Sequence, residues 1–388
     1  MQQALLFIVL IFFGLYALLI LYYWMSWRSV PVFKATDQNS QLKISVIIPA
    51  RNEEKNIAAC LDSINHQTYN NNLFEVMVVD DHSTDNTATI VNNHPLQNLK
   101  IIALNDFVSD EINSYKKKAI EVAIAQSTAG LIVTTDADCI VPAKWLETIA
   151  AFYNQYQPQF IAAPVSINCS FNFIEMFQAL DFAMLQGITA ASVHKKIHSM
   201  CNGANLAYTK KAFTEVGGFK GIDTIASGDD MLLMHKIYKQ HPGKVMYLKS
   251  PDVIVQTEPV HTLKEFFNQR IRWASKAGKY DDKRIFAVLL LVYLVNFFLL
   301  AMPVVAAFAK VYFTIANLSL SMWELWLWLL LLKTLVELVF LYPVAIFFGK
   351  QKLLWLFPIM QPFHILYTVI AGWLGTFGKY NWKGRNIK

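Results

Sequence analysis

The sequence predicts an α/β domain built on a mostly parallel sheet and flanked by membrane-spanning helices. Three observations carry this. Short apolar runs alternate with helical stretches between Lys43 and Thr135, the pattern of βαβ units. Three of those runs end in clusters of carboxylates and amides, as strands do where an open parallel sheet meets its ligand. The apolar excess, 55% of 388 residues against 16% charged, is concentrated at the two ends of the chain rather than in its middle.

Leu5 to Trp27 is almost uninterrupted apolar sequence, long enough for one span. It has no basic start and no clear small-residue cleavage site, so residues 1–28 read as an uncleaved anchor. Pro31 to Gln41 is a polar linker. Lys43–Ala50 reads as a first strand, Asn56–Ile64 as a helix, Phe74–Asp81 as a second strand and Thr84–Asn92 as a second helix. Leu99–Leu104 then gives a third strand, Lys116–Gln126 a third helix and Leu131–Thr135 a fourth strand. Together these place one α/β body at residues 29–260.

Residues 261–285 carry a different pattern. Leu263, Phe266, Phe267, Ile271 and Trp273 stand among Lys, Arg and Gln, which suits an amphipathic helix in the membrane interface, with packing on protein as the rival reading. Residues 286–378 form a membrane region. Phe286–Ala309 and Trp323–Phe348 are two candidate spans, and Leu353–Phe377, interrupted by Pro358 and Pro362, reads as a further span or as a re-entrant or interfacial segment. Lys333 and Glu337 are four apart within a span and are expected to pair or to face protein. A basic tail follows at 379–388.

Composition narrows the function. A net charge of +6 without a basic stripe interleaved with aromatics argues against nucleic acid. Cys60, Cys139, Cys169 and Cys201 show no Cys-x-x-Cys spacing, so neither a zinc site nor a disulfide framework is expected, and a reducing compartment fits. His194, His198 and His235 lack ligand spacing.

The chemistry is expected at the strand ends. Asp136 and Asp138 close the fourth strand with the same side-chain parity, so both can face one hard divalent cation, Mn²⁺ or Mg²⁺, that bridges to substrate phosphates. Pro49-Ala50-Arg51-Asn52-Glu53-Glu54 follows the first strand, and Asp80-Asp81-His82-Ser83-Thr84-Asp85 follows the second. Clusters at the same edge of three strands make one site. Within them Ser83 and Asp85 suit helix capping, whereas Glu53 and Asp81 suit ligand contact.

Those motifs, followed by Asn-Gly-Ala-Asn (202–205), Ser-Gly-Asp-Asp (227–230) and Gln-Arg-Ile-Arg-Trp (269–273), resemble in type and order the membrane-integrated family 2 glycosyltransferases. That group has a GT-A, Rossmann-like fold and includes ceramide glucosyltransferases and the cellulose, chitin and hyaluronan synthases. The resemblance spans roughly residues 43–275. It implies that Ala50, Asn52, Glu53 and Asp81 hold the nucleotide, with Asp81 at the base. It implies that Asp136 and Asp138 lie at the diphosphate, Asp138 as the firmer metal ligand. Lys117 matches a family lysine near the nucleotide, with Lys116 where a glycine is usual. Asp230 is implied as catalytic base, beside Asp229 where the family frequently has Glu. Asn202 and Gly203, with Gln269, Arg270, Arg272 and Trp273, are implied at the diphosphate and acceptor.

Physically the set is coherent. Sugar transfer from a nucleotide diphosphate leaves negative charge on the departing phosphate, which a cation and basic donors stabilise. An inverting transfer also needs a carboxylate to accept the proton of the acceptor hydroxyl. The expected function is therefore metal-dependent, inverting transfer from a UDP-sugar to a membrane-lipid acceptor. The alternatives are a processive polysaccharide synthase of the same family and a catalytically silent nucleotide-sugar-binding membrane protein. Arg28 and Lys34 after the first span, and Lys276, Lys279, Lys283 and Arg284 before the second, put the α/β body in the cytoplasm by the positive-inside rule. A bacterial inner membrane is the expected site. Lys379, Lys383, Arg385 and Lys388 also favour the cytoplasm, which is why the 353–377 segment is expected not to cross.

Overall fold

The structure, a computed structural model, describes residues 2–36, 40–108, 112–197, 200–225, 228–275, 283–315, 318–377, 380–382 and 385–387. His198, Ser227, Lys276, Lys279, Lys379, Lys383 and Lys388 lie outside the described residues. The chain divides into two units. The sheet unit comprises Ser26–Cys169 and Leu185–Pro259, and the helical unit comprises Met1–Met25, Ser170–Met184 and Val260–Lys388.

In the sheet unit β1 (Ile44–Ala50), β2 (Phe74–Asp80), β3 (Leu99–Ala103) and β4 (Leu131–Thr134) realise the four expected strands. β1 and β4 are buried along nearly their whole length, which is why both read as continuous apolar runs rather than as alternating ones. Ile44 stands opposite Phe74 on one side and Leu131 on the other, and all three pairings along β3-β2-β1-β4 are parallel. The sheet continues through β8 (Leu206–Thr209), β6 (Phe160–Ala162) and β9 (Val245–Tyr247) in the order β3-β2-β1-β4-β8-β6-β9. β8 is antiparallel to both its neighbours. A small second sheet joins β5 (Cys139–Ile140), β10 (Val255–Thr257) and β7 (Val165–Ile167).

The helices α2 (Ile57–Asn65), α3 (Thr87–Asn92), α4 (Tyr115–Gln126), α5 (Trp145–Tyr156), α7 (Lys210–Glu215) and α8 (Met231–Gln240) complete this unit, together with the second half of α6 (Phe173–His194). The chain leaves β1 toward β2 and β3, then returns to place β4 on the other side of β1. Strand order therefore reverses between β1 and β4, the point at which doubly wound sheets open a crevice beyond their carboxyl ends. The second helix begins at Thr87 rather than at Thr84, because the side chains before it serve the loop described below.

The helical unit contains α9 (Leu263–Ala274), α10 (Lys283–Phe308), α11 (Met322–Phe347) and α12 (Phe357–Phe377), with most of α1 (Gln2–Ser29) and the first half of α6. Four of its segments, Gln3–Ser29, Lys283–Phe308, Met322–Phe347 and Gln351–Thr376, are long and apolar enough to cross a membrane. The prolines do not break the last of them. α12 runs unbroken through Pro362, and Pro358 sits at its second position, where no intrahelical donor is required.

α9 begins with a capping box in which Thr262 and Glu265 satisfy each other's backbone N–H. Its Phe266 and Ile271 are buried, and Ile271 packs with Phe267 against Tyr367 and Ala371 of α12. A Cβ on Gly375 would lie 2.6 Å from Ala274 Cβ, so glycine there lets the two helices approach. Part of the apolar stripe of α9 thus packs on protein, while Leu263 at its start stays exposed.

Lys333 and Glu337 pair at 2.7 Å. Lys333 also donates to Gln361 Oε1 at 2.7 Å, Gln361 Nε2 donates to Glu337 Oε2 at 2.6 Å, and Tyr16 donates its hydroxyl to Glu337. Every member is buried. Removing one partner strands a buried charge. Lys333→Met is therefore expected to cost about 3–5 kcal/mol, and adding Glu337→Leu to recover most of it. Unfolding of both variants in detergent checks this, and equal losses in single and double variant would contradict it.

Candidate functional site

Three loops at the carboxyl ends of β1, β2 and β4 make the crevice. The first two are stitched together. Asn52 N donates to Ser83 Oγ at 3.0 Å, Glu53 N to Thr87 Oγ1 at 2.8 Å and Glu54 N to Asp85 Oδ2 at 3.1 Å. In return Thr84 N donates to Asn52 Oδ1 at 2.8 Å and Asn86 N to Glu54 Oε2 at 3.1 Å. Asn52 adopts φ 52° and His82 φ 56°, left-handed conformations that Asn and His tolerate better than most residues. Ser83 and Asp85 are thereby accounted for as loop fasteners, with Asp85 Oδ1 also accepting from Thr87 N at 3.0 Å.

Asp81 is buried at the end of β2, and its amide donates to Ala50 O at 2.8 Å. Its carboxylate has His82 Nδ1 at 2.9 Å and Arg51 at 3.6 Å. Glu53 accepts from the Asn56 amide at 3.0 Å. Ala50, Asn52, Glu53 and Asp81 thus share one wall.

The β4 loop faces a cation that the sequence reading passed over. Lys116 Nζ lies 2.7 Å from Asp136 Oδ1 and 3.3 Å from Asp229 Oδ2. Burial alone would lower the lysine, but Asp136 and Asp229, helped by Asp230, outweigh it and hold the ammonium above the ordinary lysine range. Lys117, the expected lysine, turns its ammonium to the carbonyls of Ile222 and Ile225 at 2.6 and 2.5 Å and is itself buried. Of the two neighbouring lysines, Lys116 is the one beside Asp136 and Asp229. Adjacent residues on a helix point about 100° apart, so a one-residue shift moves the charge to another wall.

Asp230 caps α8. Its Oδ1 accepts from Met231 N at 2.7 Å, and its Oδ2 lies 3.3 Å from Gly203 N. A Cβ on Gly203 would stand 3.2 Å from Asp229 Oδ2 and 3.3 Å from Lys116 Nζ, so a side chain there would have to push one of these charged groups back by a few tenths of an ångström. Thr134 Oγ1 fixes the same loop by donating to Gly203 O at 3.0 Å. Asn202 accepts from Ala204 N at 3.0 Å, while the buried Asn205 joins Trp145, Pro164 and Val253 and is structural.

Asp138 receives the Cys139 thiol at 3.5 Å, and Cys60 directs its thiol to Asp136 O at 3.7 Å. Burial, then Asp138 and Asp136, push the Cys60 thiol up, so it is a neutral floor beneath the carboxylates and not a nucleophile.

Gln269, Arg270, Arg272 and Trp273 all lie on α9, in the helical unit. Arg270 is buried, 2.8 Å from Asp181 Oδ2, with its guanidinium 4.3 Å from the Trp273 ring centre and 4.9 Å from that of Phe266. Gln269 Oε1 is buried without a hydrogen-bond partner among the described residues.

The donor set bears on a metal. Among the described residues no group of three or more His, Cys, Asp or Glu side chains forms a ready cage. Asp136 and Asp138 nevertheless offer half-exposed hard oxygens, and with Asp229 and Asp230 they outnumber the single Lys116. This suits a divalent cation that completes its shell with phosphate oxygens and water rather than with protein.

Comparison with known proteins agrees with this architecture. Residues 45–217 match the family described as glycosyl transferase family 2. The glycosyltransferase AglE of Haloferax volcanii is 35% identical over 106 residues, 27% of this chain and 33% of its own length. The beta-monoglucosyldiacylglycerol synthase of Synechocystis is 27% identical over 237 residues, 60% of this chain and 47% of its own. The chain spans about half or less of the length of these curated relatives. The mannosyltransferase PcManGT from Pyrobaculum calidifontis, solved with GDP-Man and Mn²⁺, superimposes with a TM-score of 0.58 at 21% identity, covering 94% of this chain and 99% of that one. The sheet unit accordingly has the GT-A fold.

Proposed function

We infer from residues 45–217, which form a family 2 glycosyltransferase domain, that the chain transfers a sugar from a UDP-sugar to the hydroxyl of a membrane lipid, with inversion, at the cytoplasmic face of the membrane. The observation that carries this reading is the convergence of Asp136, Asp229 and Asp230 on Lys116 at the point where strand order reverses. The synthase of Synechocystis, named for a glucosyl-diacylglycerol product, and the four helices long and apolar enough to cross a membrane support a lipid acceptor.

The geometry supports the following roles. The stitched wall of Ala50, Asn52, Glu53 and Asp81 takes the nucleoside. The acceptor oxygen attacks the anomeric carbon as the bond to the diphosphate breaks, its proton passes to Asp230, and UDP departs. Lys116 supplies positive charge where the diphosphate gains negative charge, in a partly buried setting where such donors act strongly. Asp138 and Asp136 would hold Mn²⁺ or Mg²⁺, which supplies Lewis-acid stabilisation of the same leaving group.

The test uses the purified full chain with a panel of UDP-sugars, manganese and membrane lipid extract. Lipid-stimulated UDP release and a glycolipid detected by mass spectrometry are expected. A long water-soluble polysaccharide made by the protein alone would instead establish processive synthesis. Chelation by EDTA and Asp138→Asn should each suppress UDP release while melting behaviour is kept. Undiminished turnover in EDTA would remove the metal from the reading.

A further inference from the structure

We propose that Lys116 is a tethered competitor of the divalent cation for Asp136, so that the strand-end site takes Mn²⁺ weakly by itself and tightly together with a diphosphate. This rests on the reading of Asp136 and Asp138 as ligands of that cation. Lys116, Asp136 and Asp229 all belong to the sheet unit. Lys116 Nζ lies 2.7 Å from Asp136 Oδ1 and 3.3 Å from Asp229 Oδ2, and the three side chains are only 24, 35 and 14% exposed. Charges so placed are screened less than at an open surface. A hard cation taking the same Asp136 oxygen, at about 2 Å, would stand beside the ammonium, like charge against like.

The helix that carries Lys116 does not need its charge. Lys116 stands in the first turn of α4, where the helix dipole disfavours a cation, and that turn holds no acidic residue. The ammonium is therefore held by what lies opposite it, the carboxylates or an anion brought to the site. Lys117, at the next position, is fastened to the carbonyls of Ile222 and Ile225. That anchors the turn and leaves Lys116 a four-carbon stem on which to swing. A diphosphate entering beyond β4 offers the ammonium charged oxygens of its own. The ammonium turns to them, and Asp136 is released to the cation, which the same diphosphate helps to hold. Coupling of this kind is reciprocal, so Mn²⁺ raises the affinity for the diphosphate by the same factor.

The experiment is titration of the purified full chain with Mn²⁺, with and without UDP, the free ion being read by electron paramagnetic resonance. UDP should raise the wild-type affinity for Mn²⁺ by about 5–150-fold, the usual range of coupling between two ligands. Without UDP, Lys116→Met should bind Mn²⁺ about tenfold more tightly than the wild type, within that range, and should gain less from UDP. Lys116→Gln should behave like Lys116→Met, and Lys116→Arg, which keeps the charge, like the wild type. In an Asp136→Asn background the Lys116→Met change should do little, because the contested carboxylate is gone. The competition is overturned if folded Lys116→Met and Lys116→Gln bind Mn²⁺ alone no more tightly than the wild type. An equal gain in the Asp136→Asn background, or manganese binding in no sample, overturns it too. UDP release from a panel of UDP-sugars is measured on the same wild-type protein. Release with unchanged manganese affinities overturns the competition and leaves the transferase reading standing. The expected affinities without release from any donor uphold the competition and overturn the transferase reading.

Discussion

Asp230→Asn is expected to lower turnover by about 10²–10⁴-fold, the usual range for loss of a general base, while UDP-sugar binding is kept. The substitution is nearly isosteric. Asn can still accept from Met231 N, the bond by which Asp230 caps α8, so helix and fold should survive. What disappears is the negative oxygen able to take the acceptor proton. Donor affinity by titration and sugar transfer in a single turnover separate the two effects. If donor affinity vanishes with activity, Asp230 belongs to the binding wall and another carboxylate, with Asp229 first in line, becomes the candidate base.

Lys116→Met and Lys117→Met should behave in opposite ways. The first removes the cation between Asp136 and Asp229 and should cost about 10²–10³ in kcat, the scale of losing one preorganised donor to developing charge. Because neighbouring carboxylates hold Lys116 above the ordinary lysine range, it stays charged across the working range of pH, so any alkaline loss of activity in the wild type must arise elsewhere. Lys117→Met gives up two carbonyl partners, at Ile222 and Ile225, and should lower the melting temperature while leaving activity per folded molecule nearly intact. The reverse outcome would return the site to Lys117.

That pair also shows where the sequence stops being informative. On α4 the helical period sets Ala119, Ile120 and Ala123 beneath Lys116, and Ile120 and Ile124 beneath Lys117, all of them buried. Both lysines stand over core positions, and only the tertiary placement of the helix decides which one meets Asp136. The first four strands were legible because interior parallel strands are apolar on both faces, and their polar ends announced the crevice. β6, β8 and β9 were not, since three or four residues are too few to show a period. α9 was legible as an amphipathic helix but not in what covers it, because an apolar stripe looks the same against lipid as against α12. Gly203 is implied by the resemblance at the diphosphate and acceptor. That it lies beside Asp229 and Lys116 depends on how the loop before β8 folds against them, which no local pattern reveals.

The cross-fastening of the β1 and β2 loops has a kinetic consequence. Five backbone amides donate hydrogen bonds between residues 52–54 and residues 83–87, in both directions, so neither loop can open without the other. Much of the entropy of ordering a nucleotide cradle is then already lost at folding. Donor capture should proceed as a fast, single-phase encounter rather than through a slow rearrangement of this wall. In the ligand-free protein the amides of Asn52, Glu53 and Glu54 should exchange with deuterium slowly and together, as one cooperative unit.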